Sequence, residues 1–269
     1  MPFTVSHIAA VLPFSRLLAR WRLMSATVIG SMVPDFGFLL PWRISRVETH
    51  SAWGLLTFCL PVGLAAFWWF QYLVKPALLA VLPDGAFARW QSSAIPADPA
   101  SPWQWALAAL GVEVGAASHL VWDAFTHEGA RGMRIFPLLD DPVVEIAGHH
   151  LIGAHLMQDL SSLVGLLLVA TAAVFALRAG RPDPLVRPAR PIGQSERLVW
   201  STGYLVAAAV LTGLFLIMHP LPDASGRNLG FAIETTAIAA LRGLAAAVIL
   251  VSLAVMFRLR AARAPRARL

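Results

Sequence analysis

From Trp103 to Phe125 the chain is almost wholly apolar over the roughly 20 residues a helix needs to cross a bilayer, yet the run carries Glu113, His119 and Asp123. Hydrocarbon offers no water to satisfy backbone groups, so such a segment must be helical. Ionisable groups at that depth are costly and persist where they pair, bind an ion or do chemistry. At helical spacing Asp123 lies one turn beyond His119 on the same face, and His127 one turn further. Two imidazoles flanking a carboxylate form a metal-ligand pattern before anything else.

Similar apolar runs recur at Ser51–Val74, Leu151–Leu177, Leu198–Met218 and Phe231–Phe257. Leu23–Leu40, interrupted by Gly30 and Pro34-Asp35, is a weaker candidate, and Thr4–Ala19 weaker still. Only 13% of the 269 residues are charged and 58% are hydrophobic, whereas a soluble domain carries about 25% charged residues. The expectation is an all-α, polytopic transmembrane bundle of about six to seven membrane helices. Residues 1–178 would form the bundle with the candidate metal site. A Pro/Arg-rich linker (179–197), a C-terminal helix pair (198–257) and a basic tail (258–269) would follow.

The arginines orient this bundle. Arg258, Arg260, Arg263, Arg266 and Arg268 in the tail predict a cytoplasmic C-terminus. Counting back, the linker with Arg181, Arg187 and Arg190 is cytoplasmic too, with Lys75, Arg89 and the Arg16, Arg20, Arg22 cluster. The loop from His127 to Gly148, richer in Glu128, Asp140, Asp141 and Glu145 than in arginine, falls outside. Seven of the eight histidines (His7, His50, His119, His127, His149, His150 and His155) then fall in the outer half of the bundle. Ten tryptophans against two tyrosines suit the bilayer interface, and the net charge of +6 reads as topology and lipid contact rather than a nucleic-acid surface. The single Cys59 excludes a disulfide framework or a thiolate metal site. No cleavable signal peptide is expected, because the first apolar run is short and holds Pro13. No Gly-rich phosphate loop or nucleophile elbow appears.

His119 and Asp123 are the core candidate ligands; the competing reading is a polar pair tying helices together. His127 stands about 12 Å from His119 along a continuous helix and could share an ion only if the helix ends and bends. Pro34 breaks its helix and Asp35 projects from the break, as suits the lining of a cavity; an interfacial turn would explain it equally. In Thr49-His50-Ser51 the hydroxyls can cap the next helix, leaving His50 free to point inward. His7 joins the set through the convergence of histidines at the outer face. His149, His150 and His155 lack ligand spacing among themselves. Gln158 and Asp159 are candidate polar groups on the substrate side. Glu113 and Arg242 are expected as a charge-neutralising interhelical pair, with Glu234 as another partner.

Four blocks resemble a bacterial membrane family known as domain of unknown function 4184. They are Thr4-Val-Ser6-His7, Gly30-Ser-Met-Val-Pro34-Asp35-Phe36, Thr49-His50-Ser51 and Ser118-His119-Leu-Val-Trp122-Asp123-Ala-Phe-Thr126-His127. The resemblance covers roughly residues 1–170 and implies a multi-pass protein of the bacterial inner membrane. The same order of elements is similar to membrane-bound metal-dependent hydrolases related to the DNA-damage-induced inner-membrane protein. More distantly it is similar to zinc-dependent phospholipase C. The chain lacks the longer Asp-x-Asp form that some of those relatives carry after the proline.

The expected ligands are therefore His7, Asp35, His50, His119 and Asp123, holding a divalent metal: zinc first, manganese or iron next. Asp123 and His127 are the candidate catalytic groups. A metal-dependent hydrolase opening to the extracytoplasmic face, acting on a phosphoester or lipid-derived substrate with membrane lipid as partner, is the expected function. Metal-ion or proton transport, and an assembly protein with a structural metal, are the competing classes.

Overall fold

The computed structural model describes residues 4–40, 44–90, 98–127, 129–146, 149–178, 192–218 and 229–263. Expectations resting on Glu128, Arg181, Arg187, Arg190, His219, Arg266 and Arg268 lie outside the described residues, as do those on the side chains of Arg89, Glu145, His149, His150, Glu234 and Arg263.

Helices in chain order are α1 (Ser15–Arg20), α2 (Met24–Gly30), α3 (Arg46–Thr49), α4 (Ala52–Val81) and α5 (Asp84–Trp90). After them come α6 (Pro102–Thr126), α7 (Arg131–Ile135), α8 (Gly153–Arg178), α9 (Gln194–Met218) and α10 (Leu229–Arg263). Among the described residues, five helices are long and apolar enough to cross a membrane: α4, α6, α8, α9 and Thr235–Ala262 within α10. The chain is an all-α, multi-pass membrane protein. Each strong apolar run is one of these helices, and α4 runs seven residues past Val74. It contains two π-helical turns, at Leu55–Cys59 and Phe70–Val74.

The two weaker candidates are not continuous helices. Thr4–Ala10 and Leu12–Phe14 are 3₁₀ turns leading into α1. The chain reverses at Arg22, whose positive φ of 60° lets Leu23 N–H reach the Leu18 carbonyl at 2.8 Å. It then forms α2 and a further 3₁₀ segment, Val33–Phe38. Pro13 and Pro34 each lack the N–H that a regular helix would use, so the backbone tightens around them.

Two compact units divide the chain. Unit 1 combines Met1–Phe67 with Asp98–Phe175, and unit 2 combines Trp68–Ala97 with Ala176–Leu269. In unit 1, α2 lies along α6 with their backbones in contact. A Cβ added at Gly30 would overlap the Val112 carbonyl, and one at Gly115 the Thr27 carbonyl. Small residues are what permit such an approach between membrane helices. Ala26 on α2 and Val112 and Ala116 on α6 are buried.

The segment after His127 is more ordered than a loop. It carries α7 and an antiparallel hairpin pairing β1 (Pro142–Ile146) with β2 (His149–Ile152). His149 and His150 therefore stand in a strand, as do Leu151 and Ile152, the first residues of the apolar run read as a helix. The β-branched Val143, Val144 and Ile146 favour the extended backbone, and α8 begins only at Gly153.

Unit 2 packs α9 along α10, with the Tyr204 and Ser252 hydroxyls 2.9 Å apart between them. Its core is apolar: Ala77, Ala80, Ile192, Val255 and Leu259. Its ion pairs include Arg197 with Asp84 at 3.0 Å and Arg258 with Glu196 at 2.9 Å. The Arg242 guanidinium stands 6.0 Å from the Phe215 ring centroid.

Candidate metal centre

Four separate stretches of unit 1 bring side chains to one point. The first 3₁₀ turn places Thr4 and His7 on one edge, because three residues make a turn in that geometry. The break after α2 presents Asp35. A Ser45–Glu48 capping box fixes the one-turn helix α3, which sets Arg46 and His50 four residues apart. Near its end α6 contributes His119 and Asp123.

His7 and His119 are each 1% exposed, Asp35 4% and Asp123 6%. Around the two carboxylates, His7 Nε2 lies 3.6 Å from Asp123 Oδ1. His50 Nε2 lies 3.4 Å from both Asp35 Oδ1 and Asp123 Oδ2, and His119 Nε2 is 3.8 Å and 3.5 Å from the same two atoms. These separations are too long for hydrogen bonds. They match ligands around an ion: two atoms about 2.1 Å from a tetrahedral metal stand about 3.4 Å apart. Two donor groups emerge, His7–His119–Asp123 and Asp35–His50–His119, each with its ligand atoms within 4.8 Å of one another.

The far sides of His119, His50 and Asp35 are tied down, whereas both ring nitrogens of His7 are buried without a hydrogen-bond partner. His119 Nδ1 lies 2.8 Å from the Ser31 carbonyl, which can only accept, so Nδ1 carries the proton and Nε2 offers its lone pair. Ser31 O is free for this role because Asp35 N–H bonds to Met32 O in the 3₁₀ turn instead of reaching back to Ser31. His50 Nδ1 is 2.8 Å from Thr49 Oγ1, which itself donates to the Arg46 carbonyl. Thr4 Oγ1 donates to Asp35 Oδ2 at 2.8 Å. Each outer contact aims the opposite atom inward, as partners of metal-ligating groups do. The inward atoms His7 Nε2, His50 Nε2, His119 Nε2 and Asp123 Oδ1 are buried with no hydrogen-bond partner. His7 and His119 also stack, with ring centroids 3.7 Å apart and planes at 16°.

All five expected ligands thus converge. His127 meets the bending condition: α6 ends at Thr126 and His127 takes an extended backbone, bringing Nδ1 to 3.5 Å from Asp123 Oδ1. Its Nε2 accepts from Arg46 Nη2 at 2.9 Å, so that lone pair is engaged. Burial, then the neighbouring Arg46 charge, push its pKa down to about 4 against the pull of Asp123. His50 shifts upward: burial opposes this, but Asp123 and Asp35 favour its protonated form more strongly. Ser51 caps α4 by accepting from Gly54 N–H at 2.8 Å, whereas Thr49 orients His50 and does not cap.

Three contributors escape a reading of the sequence. Arg46 donates from Nη2 to Asp123 Oδ2 at 2.6 Å; its only trace is a position one helical turn before His50. Thr4 shares a 3₁₀ edge with His7, a spacing legible only once that geometry is known. The Ser31 carbonyl belongs to the backbone and has no side-chain signature. The donor groups found among the described residues do not include His155, Asp159 or Glu113, and the Gln158 carbonyl accepts from Ser161 and Ser162.

A cavity of about 880 Å³ lies beside the centre, lined by Ala10, Val121, Trp122, Phe125, Leu139 and Met157, among others. Trp122 forms part of this wall while its ring meets His7 edge-on at 5.8 Å.

Membrane helices surrounding a buried three-histidine, two-carboxylate constellation define the class. The family model described as "Domain of unknown function (DUF4184)" matches residues 1–253, and the chain belongs to that family. The match runs well beyond residue 170 and takes in α9 and most of α10. No curated protein and no solved structure matches the chain.

Proposed function

We propose that this chain is an integral-membrane, metal-dependent hydrolase. Its substrate would be a phosphoester or another lipid-derived molecule, delivered at the extracytoplasmic face of a bacterial inner membrane. The observation that carries the reading is the set of inward, partnerless donor atoms at metal-ligand spacing. Burying so many polar atoms without hydrogen bonds is costly unless a cation draws them together.

His7, His50 and His119 through Nε2, with Asp35 and Asp123 through carboxylate oxygens, would hold the ion. Imidazole and carboxylate donors without thiolate suit zinc, then manganese or iron. When bound, such an ion lowers the pKa of a coordinated water to about 7 and polarises a phosphoryl or acyl oxygen. A carboxylate oxygen left free by the ion would take the proton from the attacking water, while His127, its Nε2 held by Arg46, would position that guanidinium. The arginine distribution supports an outward-facing site, and the apolar cavity beside Trp122 suits a membrane-delivered substrate.

One feature favours transport: Glu113 Oε1 is buried without a partner on the same helix as His119 and Asp123. The close contacts of Gly30 with Val112 and Gly115 with Thr27 oppose a continuous path, because backbone fills the space where one would run.

Elemental analysis of detergent-purified protein, beside His119→Ala and Asp123→Ala, tests the centre. Stoichiometric metal in the wild type that is absent from both variants is expected; no metal under any loading condition would overturn the proposal. Hydrolysis of phosphodiester and lipid-headgroup substrates, run beside metal uptake into proteoliposomes, separates enzyme from transporter.

A further inference from the structure

Resting on the metal centre proposed above, the geometry points to Arg46 as the group that receives an anionic oxygen of the substrate, a monoanionic phosphodiester. Arg46 sits at the first position of α3, and its side chain is 37% exposed. Through Nη2 it touches Asp123 Oδ2 and His127 Nε2, while its Nε is buried with no hydrogen-bond partner. Both Nη2 hydrogens are committed to Asp123 and His127, so Nε–H is the donor beside them without an acceptor, and a charge-assisted bond from it would take a single phosphoryl oxygen. An oxygen bound there would also lie beside the ion.

Charge supports the same substrate class. Asp35 and Asp123 balance a divalent ion, and the three histidines contribute neutral imidazoles when they ligate. Arg46 then leaves the site with one uncompensated positive charge. Glu48, the nearest acidic residue in sequence, is turned away to accept from Ser45 N–H at 3.2 Å. A phosphodiester carries the single negative charge that restores neutrality. A purely structural Arg46 would behave differently: its bond would hold Asp123 in ligating position, so removing the guanidinium would lower metal content.

The test uses full-length protein loaded with manganese, as wild type, Arg46→Gln and Arg46→Lys. Dimethyl phosphate is the probe, followed by paramagnetic broadening of its phosphorus resonance, with metal content and thermal unfolding measured on the same samples. The wild type should bind the probe saturably. Arg46→Gln should bind it about tenfold more weakly with metal content unchanged or raised, and Arg46→Lys should fall between. A second arm compares dihexanoyl phosphatidylglycerol with its free headgroup diester. Tighter binding of the lipid assigns the diester to a membrane source, and equal binding to a soluble one; either result requires the loss in Arg46→Gln. Equal probe binding by wild type and Arg46→Gln, both holding metal, overturns the role of Arg46 and leaves the centre standing. Lower metal content in Arg46→Gln also overturns it, in favour of a structural bond to Asp123. Absence of metal from the wild type is a separate result and removes the underlying centre.

Discussion

The two units solve membrane burial in opposite ways. Unit 1 buries His7, Asp35, His119 and Asp123 with Thr4, Ser6, Ser31, Thr49 and Thr126, so its interior is polar along one side of α6. The core of unit 2 is built from Ala77, Ala80, Val255 and Leu259, and its most buried charge, Arg197, is paired with Asp84. Among the described residues, one unit buries a cluster of ionisable groups and the other a single arginine, paired with a carboxylate. Concentration of cost in one place marks function more firmly than the presence of any single buried charge.

The largest expected break in that contrast comes from removing a ligand. His119→Ala or Asp123→Ala should abolish stoichiometric metal, while Ser252→Ala in unit 2 leaves metal content unchanged; elemental analysis reads all three. A smaller effect should follow from Thr49→Val, which removes the acceptor fixing His50 Nδ1 but no ligand. Metal affinity should fall roughly 10- to 100-fold, as losses of ligand-orienting partners do, measurable by competition with a chelator. Next come the backbone contacts below the site. Gly30→Ala or Gly115→Ala should destabilise unit 1 by about 1–3 kcal/mol or more through overpacking, lowering thermal unfolding temperature. The smallest expected effect is Tyr204→Phe in unit 2. Loss of its contact with Ser252 should cost about 0.6 kcal/mol, with metal binding untouched. Metal loss in this last variant would show that the contrast between the units is not functional.

Most of the architecture was legible because apolar runs of spanning length have one solution in hydrocarbon. The converging histidines and aspartates were legible as candidates for a related reason: an ionisable residue within or beside such runs needs an explanation. His127 was harder, since its reach depends on α6 stopping at Thr126, and helix ends are set by local backbone geometry. The β1–β2 hairpin was missed because the run from Pro142 to Ile152 alternates weakly and resembles the start of the next apolar helix. In the sequence nothing separates Arg46 from the other arginines at segment ends. Only the folded α3 shows that it faces Asp123, and no periodicity carries that information.

The Ser31 carbonyl has a consequence for anyone transplanting this centre. It accepts from His119 only because the backbone tightens at Pro34 and leaves that oxygen uncommitted. Five side chains grafted onto an unbroken helical hairpin would reproduce the donor inventory but not the tautomer. His119 would then be free to turn its protonated nitrogen toward the ion. The portable unit is the interrupted helix together with the residues it serves, and a scaffold lacking the interruption would inherit the composition of the site without its chemistry.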